Sequence, residues 1–102
     1  MVVDDSTSVR KSLERVLEIH GFSMQGVASA AEALRQAGVR RPDLVLSEVN
    51  LPDLSGLELC RRLSLAGLPV LLMSQESGSQ ARELSRAAGA LELLGKPLDQ
   101  QT

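Results

Sequence analysis

The sequence contains very few aromatic residues and a single cysteine. Phe22 is the only phenylalanine, tyrosine or tryptophan, so the core must be aliphatic and ligand recognition by ring stacking is not expected. Cys60 stands alone, which excludes an internal disulfide and a metal site made of several cysteines. A single cysteine also fits a reducing compartment, so we expect a cytoplasmic location.

Long apolar runs and a strong charge of either sign are also missing. No stretch approaches the roughly 18 apolar residues of a membrane span, and we expect neither a span nor a secretory leader. The net charge is −2 and the 11 basic residues are spread along the chain, so binding to nucleic acid or to an anionic membrane is not expected. With 102 residues, 43% hydrophobic and 24% charged, we expect one water-soluble domain over residues 1–102.

The sequence alternates between short apolar runs and stretches of helical spacing. The apolar runs predict five strands, at residues 1–3, 22–27, 43–49, 70–73 and 91–94. The helical spacing predicts four helices, at residues 8–20, 30–37, 57–66 and 79–88, each followed by a glycine that ends it. Because helical crossovers between parallel strands are right-handed, this order predicts a doubly wound five-stranded parallel sheet.

Ligand chemistry in such a sheet belongs at the carboxyl ends of the strands, where the strand order reverses. The polar residues just past those ends are Asp4, Asp5, Glu48, Ser74 and Lys96. Clustered carboxylates attract a hard divalent cation such as Mg²⁺, and lysine and hydroxyl groups can bind the oxygens of a phosphoryl group. The sequence therefore predicts one edge that combines acidic, hydroxyl and basic side chains.

Several segments, taken in order, resemble a known family. They are Val2 to Asp5, Pro42 to Leu46, Leu51 to Gly56, Gly89-Ala90 and Lys96-Pro97. Together they resemble the receiver domain of bacterial two-component response regulators, a family that includes chemotaxis signalling proteins of flavodoxin-like fold. The resemblance covers residues 2–97 and implies a three-layer α/β/α signalling domain rather than an enzyme.

The resemblance also implies a role for each residue at the predicted edge. In the family, an acidic pair helps bind Mg²⁺, an aspartate after the third strand accepts a phosphoryl group from a histidine kinase, and a hydroxyl and a lysine contact that group. The matching positions are Asp4, Asp5, Glu48 and the main chain of Asn50 for the metal, Glu48 for the phosphoacceptor, Ser74 and Lys96 for phosphoryl contact, and Leu93 for the switch residue.

Glu48 departs from the family, which has aspartate at this position. The extra methylene moves the carboxylate roughly one bond length further out, and an error of about 1 Å can lower the rate of in-line transfer on the order of 100-fold. We therefore expect little or no phosphorylation at residue 48, and weak Mg²⁺ binding at most. Three interpretations stay open for Glu48: a fixed mimic of the phosphorylated state, an inactive site in a binding module, and an engineered change.

Two further departures concern the switch and the last helix. Leu93 stands where the family usually has an aromatic switch residue, so a rotamer switch of that kind is not expected. Residues 98–102 follow Lys96-Pro97 and provide roughly one turn, so most or all of the fifth helix would be missing. The apolar side of the first and third strands would then be exposed unless a partner, for example a second copy, covers it.

Without a phosphoryl group, Lys96 is expected to pair with Glu48 or Asp5 and to offset the repulsion between carboxylates. His20 and Cys60 are interpreted as structural residues, because no second histidine or cysteine accompanies either of them.

Three functional hypotheses follow from these observations. The leading one is a signalling module that binds a protein partner or an attached output domain, with a histidine kinase as a further candidate partner. The second is a receiver that still accepts a phosphoryl group, on Glu48 or on Asp53 in the following loop. The third is a small α/β enzyme or metal-binding protein with the same acidic edge, although no nucleophile–base pair or phosphate-binding glycine loop favours it.

Overall fold

The computed structural model describes residues 1–96, and its elements follow the predicted order. The strands are Val2–Val3 (β1), Gly26–Val27 (β2), Val45–Glu48 (β3), Val70–Ser74 (β4) and Glu92–Gly95 (β5). The helices are Thr7–Ile19 (α1), Ala30–Val39 (α2), Gly56–Leu65 (α3) and Ser79–Ala87 (α4). The prediction of an incomplete fifth helix falls on residues 97–102, which lie outside the described residues.

The five strands are parallel and lie in the order β2-β1-β3-β4-β5. This is the order of a flavodoxin-like doubly wound sheet, so the predicted fold class is confirmed. The predicted second strand, residues 22–27, is wrong in its extent, because only Gly26 and Val27 pair with β1. β2 is an edge strand whose neighbour β1 has two residues, so the ladder cannot extend over six.

Serine hydroxyls mark the starts of three helices. Ser6, Ser29 and Ser55 each accept a hydrogen bond from a backbone N–H in the first turn of α1, α2 or α3. Each of these bonds satisfies an amide that has no partner inside the helix. Within residues 1–96, no helix combines the length and the apolar character needed to cross a bilayer.

Glycine ends three of the four helices as predicted. The glycines that follow α1, α3 and α4 have the positive φ typical of a helix end, and they are Gly21, Gly67 and Gly89. The prediction for Gly38 was wrong, because α2 continues through it to Val39. The chain leaves the helix there ahead of Pro42, whose ring disfavours helical backbone in the preceding residue.

The main core lies between the sheet and the helices α2, α3 and α4. Side chains along each strand alternate between this side and the other. Val45 and Leu72 are fully buried on the core side, whereas Leu46 and Leu71, one position away, are only half-buried. α3 contributes the fully buried Leu59 to the same core.

The other side of the sheet is covered by α1, which contacts β1 and β2. Counting residues 1–96 only, no side chain of α1 is buried, and Val16 is 50% exposed. The prediction that the first strand would be uncovered was wrong, because α1 packs beside β1 and Val2 is fully buried. The half-buried apolar residues of this side lie instead on β3, β4 and β5, at Leu46, Leu71 and Leu94.

Candidate functional site at the carboxyl edge of the sheet

The carboxyl ends of β1, β3, β4 and β5 meet at one edge of the sheet. Asp4 follows β1, Glu48 and Ser74 end β3 and β4, and Lys96 follows β5. Because all these strands are parallel, residues far apart in sequence come together there. Asp4 is 1% exposed and Glu48 is 6% exposed, so both carboxylates are held almost entirely away from water.

Lys96 joins the two buried acids. Its Nζ donates hydrogen bonds to Oδ2 of Asp4 at 2.9 Å and to Oε1 of Glu48 at 2.5 Å. Desolvation by itself lowers the pKa of Lys96, but the hydrogen bonds and charges of Glu48 and Asp4 outweigh it and raise that pKa above its usual value. We refer to Asp4, Glu48 and Lys96 as the Lys96 cluster.

The expected pairing of Lys96 with Glu48 is confirmed, but the second acid is Asp4 rather than Asp5. The N–H of Asp4 donates to the carbonyl of Val27 at 3.0 Å, so Asp4 still continues the strand ladder. Asp5 is one residue further along the chain and is exposed. The prediction of Asp5 was wrong, because which of the two adjacent acids faces Lys96 depends on where the ladder ends.

The remaining oxygens of the two buried acids also accept hydrogen bonds. Oδ1 of Asp4 accepts from the N–H of Ser6 at 2.9 Å, and Oε2 of Glu48 accepts from the N–H of Asn50 at 2.8 Å. The guanidinium of Arg10 donates to the main-chain carbonyl of Asp4 at 2.6 Å. All four carboxylate oxygens of the Lys96 cluster therefore have donors within the protein.

Gly56 fixes the backbone that follows Glu48. Its N–H donates to the carbonyl of Val49 at 2.7 Å, and a Cβ at this position would overlap the carbonyl oxygen of Glu48. Only glycine lets α3 begin this close to the end of β3. The segment that resembles the family includes Gly56, but no sequence pattern indicated this contact.

The carboxylate of Asp53, the alternative phosphoacceptor, contacts the start of α2 rather than the Lys96 cluster. Its Oδ1 accepts from the N–H of Ala30 at 3.0 Å and its Oδ2 from the N–H of Ala31 at 2.8 Å. The hydrogen bonds from Ala31 and Ala30 lower the pKa of Asp53. The carboxylate therefore ties the β3–α3 loop to the start of α2, a partner more than 20 residues away that the sequence pattern did not indicate.

Ser74 lies at the predicted edge and Leu93 lies inside β5, and neither side chain joins the Lys96 cluster. The hydroxyl of Ser74 accepts from the N–H of Glu76 at 3.0 Å, while its carbonyl accepts from the N–H of Lys96 at 2.9 Å. Leu93 is buried and belongs to the main core. The roles in phosphoryl contact and in switching stay predictions for these two residues.

The buried acids, as placed, do not fit a divalent cation. Among residues 1–96, no three acidic, histidine or cysteine side chains form a group that could hold a metal ion. The ammonium of Lys96 lies between Asp4 and Glu48, and Asp5 is exposed. The assignment of Asp4, Asp5, Glu48 and Asn50 as metal ligands stays a prediction, and we derive no step through Mg²⁺.

The sheet order, with two acids and a lysine joined at its carboxyl edge, is that of a flavodoxin-like domain with its site at the carboxyl ends of the strands. The family model described as the response regulator receiver domain matches residues 1–102. The chain therefore belongs to the response regulator receiver family, as its motifs predicted.

Curated relatives and solved structures agree with this assignment. The chain is 39% identical over 99 residues to the response regulator MprA of Mycobacterium sp. strain KMS, covering 95% of this chain and 43% of that protein. The chain thus spans less than half the length of the curated relatives it matches.

Two solved structures show the same fold. The chemotaxis protein CheY4 of Vibrio cholerae has a TM-score of 0.89 at 29% identity, with 96% of this chain and 85% of that chain covered. A response regulator described as putative, from Chloroflexus aurantiacus, has a TM-score of 0.87 at 34% identity, with 94% and 82% covered.

Proposed function

We propose that this chain is a receiver module of two-component signalling that acts by binding protein and is not phosphorylated at residue 48. The observation that carries this function is the carboxylate of Glu48, held by the ammonium of Lys96 and the N–H of Asn50. An ammonium and a backbone amide are the donors that a transferred phosphoryl group needs. In this chain Glu48 itself occupies them.

The same contacts favour a fixed state of the edge over a switching one. Glu48 reaches Lys96 and Asn50 without any added group, whereas the hydroxyl of Ser74 is bonded to the N–H of Glu76 instead. Glu48 thus reproduces some of the contacts expected of a phosphorylated aspartate and leaves out that of Ser74. Two of the three open interpretations of Glu48, a mimic of the phosphorylated state and an inactive site, lead to the same lack of phosphoryl transfer.

Phosphorylation by acetyl phosphate tests the role of residue 48. The wild type, Glu48→Asp and Asp53→Asn are incubated with acetyl phosphate and Mg²⁺, and intact masses are followed with time. We expect no phosphoryl adduct on the wild type or on Asp53→Asn and an adduct on Glu48→Asp, because the shorter side chain restores the geometry of in-line transfer.

Two results contradict this expectation. An adduct on residue 48 of the wild type, formed at a rate comparable with Glu48→Asp, shows that glutamate accepts the phosphoryl group. An adduct that the Asp53→Asn substitution abolishes supports the alternative acceptor. Asp53 is disfavoured as a phosphoacceptor, since both its carboxylate oxygens accept hydrogen bonds from backbone amides of α2.

The partners follow from membership in the receiver family. We infer an attached output domain or a separate protein partner, a cytoplasmic location, and no direct contact of this domain with nucleic acid. A histidine kinase is a further partner, one that binds the domain without transferring a phosphoryl group. Weak Mg²⁺ binding and the small metal-binding protein have less support, because the buried carboxylates already hold Lys96.

A second copy of the chain is the partner we infer for the half-buried strip on β3, β4 and β5. Leu46, Leu71 and Leu94 form this strip on the side of α1. Sedimentation equilibrium over a range of concentrations tests it. A monomer–dimer equilibrium weakened by Leu94→Glu is expected, and a monomer at every concentration would rule the homodimer out.

A further inference from the structure

The positive charge of the Lys96 cluster comes from the chain itself. Two carboxylates buried side by side repel each other and need a nearby cation. The guanidinium of Arg10 contacts the main-chain carbonyl of Asp4 and the hydroxyl of Thr7. Among the described residues, Lys96 is the cation that contacts both buried carboxylates.

The position of Lys96 is strongly constrained. Its side chain is 14% exposed, against 1% for Asp4 and 8% for Glu48, so the ion pairs are largely screened from water. The residue is tied to Asp4 across 92 positions of sequence and to β4 through the hydrogen bond from its N–H to the carbonyl of Ser74. Lys96 is thus held by hydrogen bonds from both its side chain and its main chain.

A divalent cation would have to displace several of these contacts. Mg²⁺ requires near-octahedral oxygen ligands at short distance and gives up its water reluctantly. Each oxygen of Asp4 and Glu48 already accepts a hydrogen bond, and the ammonium stands between the two carboxylates. A dication placed beside it would also meet a like charge at close range.

We infer that Lys96 serves as a built-in cation that takes the place of a divalent metal in this domain. The folded state of the wild type is therefore insensitive to Mg²⁺. Removal of the ammonium leaves two buried carboxylates without a cation and turns the same edge into a site that binds Mg²⁺. This role is that of the wild type, in which the carboxylate of Glu48 reaches the ammonium.

Thermal unfolding with and without Mg²⁺ tests this role. The wild type, Lys96→Met and Lys11→Met are unfolded in EDTA and at increasing Mg²⁺, with ionic strength held constant by KCl. Lys11 is the other lysine of the chain and is exposed on α1, so Lys11→Met controls for the loss of a positive charge and the gain of an apolar side chain.

The expected result is a difference between the variants in their response to Mg²⁺. The unfolding midpoints of the wild type and Lys11→Met stay constant, whereas that of Lys96→Met is lower in EDTA and rises in a saturable way with Mg²⁺, as for any ligand that binds only the folded state. The inference is contradicted if the unfolding midpoint of the wild type rises in a saturable way with Mg²⁺. It is also contradicted if Lys96→Met folds but its unfolding midpoint does not change with Mg²⁺.

A second measurement decides the matter if Lys96→Met does not fold. Paramagnetic Mn²⁺ is titrated into the ¹⁵N-labelled wild type, and amide signals are compared along the chain. We expect no selective broadening of Asn50, whose N–H donates to Glu48, relative to amides near exposed acids such as Glu83. Selective broadening at Asn50 shows that a metal enters the wild-type site and contradicts the inference. Neither measurement depends on phosphoryl transfer, so each can fail separately from the acetyl phosphate experiment.

Discussion

The two sides of the sheet are packed differently in residues 1–96. On the side of α2, α3 and α4, the strands bury residues such as Val45 and Leu72 completely. On the side of α1, Leu46 and Leu71 from the same strands are only half-buried. The difference teaches that the strands gain more of their apolar burial, and so more of their packing energy, on the side of α2, α3 and α4.

The largest expected effect comes from a matched pair of neighbours on β4. Leu72→Ala should lower the free energy of unfolding by about 2–5 kcal/mol, because it leaves a cavity in the closed core. Leu71→Ala should cost less than half as much, since its side chain is already partly in water. Urea unfolding of both variants measures the difference.

Equal losses of unfolding free energy for Leu72→Ala and Leu71→Ala would contradict the difference in packing between the two sides of the sheet. In that case something covers Leu71 in solution. Repeating the Leu71→Ala measurement at several protein concentrations then separates a second copy, whose effect depends on concentration, from a cover within one chain.

A smaller loss of stability is expected at Gly56, where α3 begins beside Glu48. Gly56→Ala places a Cβ against the carbonyl oxygen of Glu48, so α3 has to move away from the end of β3. We expect a loss of about 1–3 kcal/mol in the free energy of unfolding. Gly38→Ala is the matched control, because its Cβ meets nothing within 4 Å. A loss no greater than that of the control would contradict the close contact.

The smallest expected effect concerns the link between the β3–α3 loop and α2. Hydrogen bonds from Ala31 and Ala30 lower the pKa of Asp53 in the folded state. Because the folded-state pKa lies below the unfolded-state pKa of about 3.9, the ionised carboxylate stabilises the fold above pH 3.9. This contribution is lost as the pH falls through the folded-state pKa. Asp53→Asn should therefore lower the urea midpoint at pH 7.

The difference between Asp53→Asn and the wild type should shrink as the pH falls below about 4, where the unfolded carboxyl is protonated. Glu83→Gln, an exposed carboxylate on α4, serves as the control and should behave like the wild type at both pH values. A difference that stays the same at low pH would show that the carboxylate charge of Asp53 does not support the link.

Much of the fold could be predicted from the sequence, because periodicity and helix ends are local signals. Apolar runs placed the five strands and glycines ended three helices, and the strand ends then indicated which polar residues share an edge. The length of β2 could not be predicted, since it depends on the short β1 beside it. The prediction of exposed apolar residues was wrong for β1, because the packing of α1 on β1 is a tertiary contact.

The sequence predicted which residues lie at the site, but it predicted only some of the contacts between them. Lys96 was expected to meet Glu48, since opposite charges at one edge attract. The choice of Asp4 over Asp5 depends on the last rung of the ladder, and the link from Asp53 to α2 depends on a residue distant in sequence. Contacts of this kind are set by the finished fold and leave no local pattern.

The most direct test of the account is a double-mutant cycle between Glu48 and Lys96. The free energies of unfolding of the wild type, Glu48→Gln, Lys96→Met and the double variant are measured by urea at pH 7. A pair this close and this well buried should show a coupling free energy of about 1–3 kcal/mol. A coupling near zero would contradict the account, because Lys96 would then not hold the carboxylate of Glu48 in solution.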